Sequence, residues 1–412
     1  MRLAIVASHP VQYYAPLFRA LATRLDLTVY YAHRATPADQ ARAGFGVSFE
    51  WNVDLFSGYA HEFLQNVAST PSLCQFKGVD TPEIRRRLRF GNFDAVLLMG
   101  WHLKCYHQAL WTAKRLGVPV LVRGDSHLDT PRAAWKRLAK AMVYPIFLRC
   151  FDGALVVGAR NRAYWRHYGY PESQMFDAPH CVDNDWFASR ATEAARYSLR
   201  ARFGIARDSK VVLFVGKLVP IKRPKDLVGA ASMVRNNGVP VEVLIAGTGP
   251  LEMDVCALAR EMKVPLHLLG FCNQTEMPFA YAAADVMVLP SESETWGLVA
   301  NEALACGKPI VVSDAVGCAP DLALPGTGVI YPVGDVAAMA AAIAESLALL
   351  PGNPAIARAS ARYSLSHACD GIIAATHALA RRQQTHSGPP SDDWLSPEPR
   401  TNDARSNRHP SI

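Results

Sequence analysis

Ser291-Glu-Ser-Glu-Thr-Trp-Gly-Leu-Val-Ala-Asn-Glu-Ala-Leu-Ala-Cys-Gly-Lys308 is the stretch whose reading decides the fold. In front of it, Asp285-Val-Met-Val-Leu289 is an apolar run of strand length, closed by Pro290. Behind it, Pro309-Ile-Val-Val-Ser313 reads as a second buried strand. Residues 298–305 between them have helix-forming composition, and Gly307 sits where a C-terminal cap belongs. The unit is strand, loop, short helix, strand. At the helix start, the backbone N–H groups of Gly297, Leu298 and Val299 lack intrahelical partners and suit an anion such as phosphate. Glu302, about one turn into the helix, is expected to face neutral hydroxyls, because a carboxylate beside a phosphate is repelled. Glu294, on the loop, reaches hydroxyls farther from the phosphates. Taken alone, two glutamates at the ends of an ordinary helix are more often solvated. A diphosphate flanked by two polyol-binding carboxylates describes a nucleotide sugar.

The surrounding residues change that weighting. Pro-Ser-x-x-Glu-Thr-Trp-Gly-Leu-x-x-x-Glu-Ala-Leu-Ala-x-Gly-x-Pro-Ile-Val, residues 290–311, resembles the donor-site signature of retaining glycosyltransferases of family four, which have the GT-B fold. Trp296 stands where that family usually has Phe, and Asn301 where an apolar residue is common. Neither departure disturbs the glutamates.

The chain has 412 residues, half of them hydrophobic and 19% charged, with a formal net charge of +7. That length suits two α/β domains. The modest positive charge favours anionic small molecules or a lipid surface over nucleic acid. The nine cysteines are scattered without Cys-x-x-Cys spacing, which suggests reduced thiols in a cytoplasm. The first eight residues read as a strand rather than a signal peptide, and no segment has the unbroken apolar length of a membrane span.

In the first half, residues 3–7 form a buried strand that opens into His9-Pro-Val-Gln-Tyr-Tyr14. Ligands in α/β proteins sit in such loops. His9, Gln12 and Tyr13 take the place of the glycine pair usual in the family, and are read as an acceptor-side loop. Capping and packing by His9 and Gln12 are an equal reading. Residues 33–80 are irregular and could shape acceptor choice; the arginines between 85 and 89 read as a solvated face. The strand at residues 119–122 ends in Arg123-Gly-Asp-Ser-His-Leu128. The resemblance implies that His127 lies beside the sugar. From Pro131 to Phe151 runs a basic and aromatic helical stretch suited to an anionic headgroup layer. Packing of Met142, Ile146 and Phe147 under the sheet is the competing expectation. Residues 179–187 resemble the segment ending the family's first domain, so Asp183-Asn-Asp185 is read as a boundary feature and no catalytic metal is expected.

In the second half, Lys217 and Lys222 follow a strand, where cations would clamp a diphosphate. The family has Arg at the first of these positions, and Lys217 lacks its bidentate fork. Arg223, in a position usually glycine, is expected to compensate. Gly247-Thr-Gly249 lacks the third glycine of a dinucleotide fingerprint. Gly270, Phe271 and Cys272 end another strand, and their backbone could frame the nucleobase.

These readings predict two facing, doubly wound Rossmann-like domains with a cleft between them, at residues 1–190 and 191–352. Helices over 353–384 follow, the last crossing back to the first domain by resemblance, and a disordered tail over 385–412. The expected activity is retaining transfer of a sugar from a nucleoside-diphosphate sugar to an acceptor hydroxyl, with no cofactor. Glu294 would hold the sugar and Glu302 the ribose. The resemblance implies a glycan or lipid-linked acceptor and work at the cytoplasmic face of a membrane. A sugar-nucleotide epimerase, a phosphorylase or a binding subunit without turnover are the alternatives. The phosphorylase lacks an identifiable cofactor lysine.

Overall fold

The computed structural model describes residues 1–37, 41, 47–130, 132–349 and 352–386. Short apolar runs in the first half pair into a seven-stranded parallel sheet: β1 (Arg2–Ala7), β2 (Asp26–Tyr31), β3 (Ala60–Phe63), β4 (Ala95–Leu98), β5 (Val120–Arg123), β6 (Gly153–Val156) and β7 (Met175–Asp177). Its order is β3-β2-β1-β4-β5-β6-β7. A six-stranded parallel sheet follows, built from β8 (Lys210–Val215), β9 (Val241–Ala246), β10 (Leu266–Gly270), β11 (Val286–Leu289), β12 (Ile310–Ser313) and β13 (Gly328–Tyr331). Its order is β10-β9-β8-β11-β12-β13. Strands such as Ala95–Leu98 and Ile310–Ser313 are buried throughout, as parallel strands covered by helices on both faces must be. The architecture is the expected pair of doubly wound Rossmann-like domains.

Each sheet reverses its strand order once, between β1 and β4 and between β8 and β11. Loops diverge there and leave a crevice at the carboxyl ends of the strands. The helix Glu193–Arg202 is fixed to the second sheet by Asp285, which accepts from Arg196 at 2.7 Å, Arg200 at 2.6 Å and the Val211 N–H at 2.7 Å. It is one of two helices in the connection, the other being Asn184–Arg190. The basic stretch is helical over Ala134–Phe147 and closes with a 3₁₀ turn, Leu148–Cys150.

After the second sheet come the helix Val336–Leu347 and then two more, Pro354–Arg362 and Leu365–His386. Ser364 between them bridges to Val182, and the longer helix packs on β6, β7 and the helix Tyr14–Ala22. Residues 385 and 386, assigned from the sequence to the tail, belong to this helix; the rest of that tail lies outside the described residues.

A second contact joins the halves. Asp321 accepts from the Ala159 N–H at 3.0 and 3.2 Å, at the start of the helix Ala159–His167, and from Tyr363 Oη at 2.8 Å. Gly158 beside it allows the approach, since a Cβ there would stand 2.3 Å from the Trp296 ring.

Candidate active site

The two crevices merge into one cavity of about 430 Å³. The first half contributes Gln12, Tyr13, Tyr14, Trp51, Asp125 and His180. From the second come Lys217, Lys222, Glu294, Glu302 and the start of the helix Leu298–Ala305. Gly297 caps that helix at φ 99°, a conformation costly for any residue with a Cβ. Its turn aims the first N–H groups of the helix into the cavity wall, where Gly297, Leu298 and Val299 all line it.

Glu302 is 1% exposed. Its Oε1 accepts from Tyr13 Oη at 2.9 Å, across the cleft, and its Oε2 from Tyr281 Oη at 2.6 Å. The carboxylate therefore meets neutral hydroxyls, here supplied by the protein. Burial pushes its pKa up to about 7, against the opposing hydrogen bonds from Tyr281, Tyr13 and Gln274. Glu294 is ion-paired with Lys222. Lys217 is half-buried, and burial, then the neighbouring Lys222 charge, lowers its pKa. Cation and carboxylate thus neutralise each other in the cavity.

Phe271 and Cys272 line the cavity and Gly270 stands just outside it. A first-half strap over residues 49–54 closes this end, setting Phe49 against Phe271 with tilted rings 4.3 Å apart between centres. Asn52 Nδ2 donates to Thr275 Oγ1 at 2.5 Å, and Asn273 Nδ2 to the Glu50 carbonyl at 2.7 Å. The irregular region beside the cleft therefore touches the loop after β10, at Phe271, Asn273 and Thr275.

Of the loop after β1, Gln12 and Tyr13 reach the cavity, and Tyr13, expected on the acceptor side, does so on Glu302. His9 does not line the cavity and bonds Ser8 Oγ through Nδ1 at 2.9 Å. His127 is not among the lining residues either. It is 2% exposed, its Nδ1 lies 3.6 Å from Asp129 Oδ2, its ring nitrogens lack hydrogen-bond partners, and burial lowers its pKa against the nearby Asp129 charge. Arg223 does not line the cavity. It bonds Asp226 at 2.6 Å, so it does not compensate for Lys217, and its φ of 50° explains why glycine suits that position. Asp183 accepts from the Trp186 N–H at 3.0 Å as the N-cap of Asn184–Arg190.

The two departures from the family signature prove to be one unit. Trp296 is buried, and its indole N–H donates to Asn301 Oδ1 at 2.8 Å. Asn301 Nδ2 in turn donates to the His180 carbonyl at 3.2 Å. A buried indole needs an acceptor where phenyl needs none, so Trp and Asn belong together.

Sequence reasoning missed Tyr281, Gln274, Trp51, Asp125 and His180. Tyr281 had a signal, as the single polar group in the run Ala280-Tyr-Ala-Ala-Ala284. The others lie on loops, where only the fold reveals a common cavity.

Residues 196–355 match the family model Glycosyl transferases group 1. D-inositol 3-phosphate glycosyltransferase of Mycolicibacterium smegmatis is 35% identical over 221 residues, covering 50% of this chain and 48% of that protein. The protein of that name from Geodermatophilus obscurus is 34% identical over 233 residues, covering 54% and 51%. The chain spans about half the length of the curated relatives it matches. Among solved structures, an Anabaena protein in complex with UDP and glucose superposes with a TM-score of 0.66 at 16% identity, over 92% of this chain and 99% of that one. The trehalose 6-phosphate synthase of Burkholderia multivorans gives 0.67 at 15%, over 93% and 99%. The fold is GT-B.

Asn301→Leu strands the Trp296 N–H and is expected to cost about 1–3 kcal/mol of unfolding free energy. Trp296→Phe combined with Asn301→Leu recovers most of that loss, so a double-mutant cycle by chemical denaturation reads strong coupling; additive losses would refute the pairing. Glu302 gives a pH signature. Its folded-state pKa of about 7 lies above the ordinary 4.5, so stability from the protonated form is full below pH 4.5 and is lost as pH rises through 7. At pH 8 the buried charge costs roughly 3 kcal/mol. Glu302→Gln should therefore melt above wild type at pH 8, with the gap closing toward pH 4.5. Tyr281 keeps an acceptor in that variant, the Val299 carbonyl at 3.3 Å.

Proposed function

We propose that this chain, whose residues 196–355 are a glycosyl transferases group 1 domain, moves a sugar from a nucleoside-diphosphate sugar to an acceptor hydroxyl with retention of configuration. One observation carries this: a single cavity between two doubly wound domains brings together Lys217, Lys222, a helix start, Glu294 and Glu302. Lys217, Lys222 and the N–H groups at Gly297, Leu298 and Val299 hold the diphosphate. Glu302 takes the ribose hydroxyls, which replace the tyrosine hydroxyls now bound there. Glu294 takes the sugar hydroxyls once the phosphate draws Lys222 away; His127, buried outside the cavity lining, is given no contact with the sugar.

In the step itself, the bond from the anomeric carbon to the β-phosphate oxygen breaks and the acceptor oxygen bonds that carbon on the same face. The acceptor proton passes to the departing diphosphate oxygen. Charge developing on that oxygen is met by two lysines and a helix start, so the reaction is assigned no metal and no cofactor. An epimerase or a binding subunit lacking turnover has no specific observation in its favour.

The test is hydrolysis of sugar nucleotides without acceptor, starting with UDP-sugars, beside binding of the free nucleotides. Glu302→Ala is expected to weaken donor binding by about 1–3 kcal/mol. Glu294→Ala should lower turnover more than affinity, because its contacts tighten at the transition state. Wild-type affinity and turnover in both variants would remove the proposal.

The acceptor is assigned to a glycan or lipid-linked class reached at the cytoplasmic face of an anionic membrane. Among the described residues, no helix is long and apolar enough to cross a membrane. The helix Ala134–Phe147 instead buries none of its residues. Trp135, Leu138, Met142, Val143 and Ile146 share one face and are between 56% and 76% exposed. Lys136, also exposed, adjoins that face, and Arg137, exposed too, lies toward the opposite side of the helix. Phe147 does pack inward, against His107 at 5.4 Å. An apolar face on a helix that carries cations suits an anionic headgroup layer. Each cation there is worth about 1 kcal/mol, so Lys136→Glu with Arg137→Glu should release the protein from anionic vesicles in co-sedimentation. Wild type remaining in the supernatant at low salt would point to a soluble acceptor.

A further inference from the structure

We infer that the acceptor carries a phosphoryl group, received in a first-domain pocket lined by Arg123, Arg132 and Lys140. This rests on the transferase reading. The pocket, about 310 Å³, opens from the main cavity and shares Tyr14, Asp125 and His180 with it. It sits where the loops after β4 and β5 diverge, beside the basic helix.

Arg123 ends β5 and is 3% exposed. Its Nη2 donates to the carbonyls of Pro179 at 2.8 Å and Ala178 at 3.3 Å, which fix the guanidinium, while Nε is buried without a partner. Lys140 Nζ donates to Tyr164 Oη at 3.2 Å and lies 4.4 Å from the centre of the Tyr144 ring. Neither contact neutralises its charge. Burial, then the Arg132 charge, lowers the Lys140 pKa to about 8. Among the described residues, no ion pair joins Arg123, Arg132 or Lys140 to a carboxylate.

Three cations thus face a pocket whose one acidic lining residue is Asp125. Cations brought out of water need a counter-charge, and a phosphate dianion answers both the guanidinium fork and the ammonium. Asp125 and His180 lie at the seam between the two cavities, and the buried His180 Nε2 has no partner. They are placed to hold the acceptor hydroxyl toward the donor sugar. The ligand class is a hydroxylated molecule with a phosphoryl group, either a soluble sugar or polyol phosphate or a lipid-borne phosphate.

The test is calorimetric binding with UDP saturating, comparing glucose with glucose 6-phosphate and inorganic phosphate, and phosphatidylcholine vesicles with and without phosphatidic acid. At least tenfold tighter binding of glucose 6-phosphate than glucose, competed by inorganic phosphate, supports the inference and a soluble source. Vesicle binding that requires phosphatidic acid, and that Arg132→Gln with Lys140→Gln abolishes at unchanged UDP affinity, supports a lipid source. In either case the double variant must lose the preference. Equal binding of glucose and its phosphate without vesicle binding, or a preference that survives the double variant, overturns the inference. If wild type fails to bind UDP, the donor reading falls, and the same phosphate comparison without nucleotide still judges the pocket.

Discussion

The site depends on a carboxylate taken out of water and held between two tyrosines. Glu302 receives Tyr281 from its own domain and Tyr13 from the other, so one side chain ties the switch point of the first sheet to that of the second. A carboxylate so deeply buried is expensive as an ion unless hydroxyls meet its lone pairs. Any ligand that brings its own hydroxyls to this oxygen pair must displace Tyr13, and displacing Tyr13 loosens the domains. Occupation of this oxygen pair and cleft geometry are therefore coupled. The same logic applies at Glu294 and Lys222, each of which must exchange the other for a part of the ligand.

Away from the chemistry, the closed arrangement is maintained by contacts that tolerate little change. Trp296 fills the space above Gly158, and Asn301 passes its hydrogen bond on to the His180 carbonyl. Asp321 caps the helix that begins one residue beyond Gly158. These groups sit on the helix and loops that also line the cavity, so the domain seam and the cavity share a framework. Substituting Trp for the family's usual phenylalanine without Asn would leave a buried donor unpaired, and the chain carries both changes.

Charge in the first domain is divided by burial. Lys136 and Arg137 remain in solvent, where salt screens their charge. Lys140, on the same helix, and Arg123 are drawn into the pocket beside it, where low polarity strengthens any contact with an anion.

Much of this protein was legible in order along the chain. Apolar runs of strand length alternating with helical segments specify two doubly wound sheets, because parallel strands must be covered on both faces. The run from Ser291 to Lys308 likewise carries its own strand, loop, helix start and glutamates, all local features. Tertiary structure alone decided which groups meet from distant parts of the chain. Tyr13 on Glu302, Asn52 on Thr275 and Arg123 beside Lys140 arise where loops from separate strands converge, and loop side chains obey no periodicity. Burial was equally out of reach. Composition marked residues 131–151 as basic and aromatic, but only packing left Met142 and Ile146 in solvent while drawing Lys140 and Phe147 inward, since exposure depends on what the rest of the fold sets against a surface.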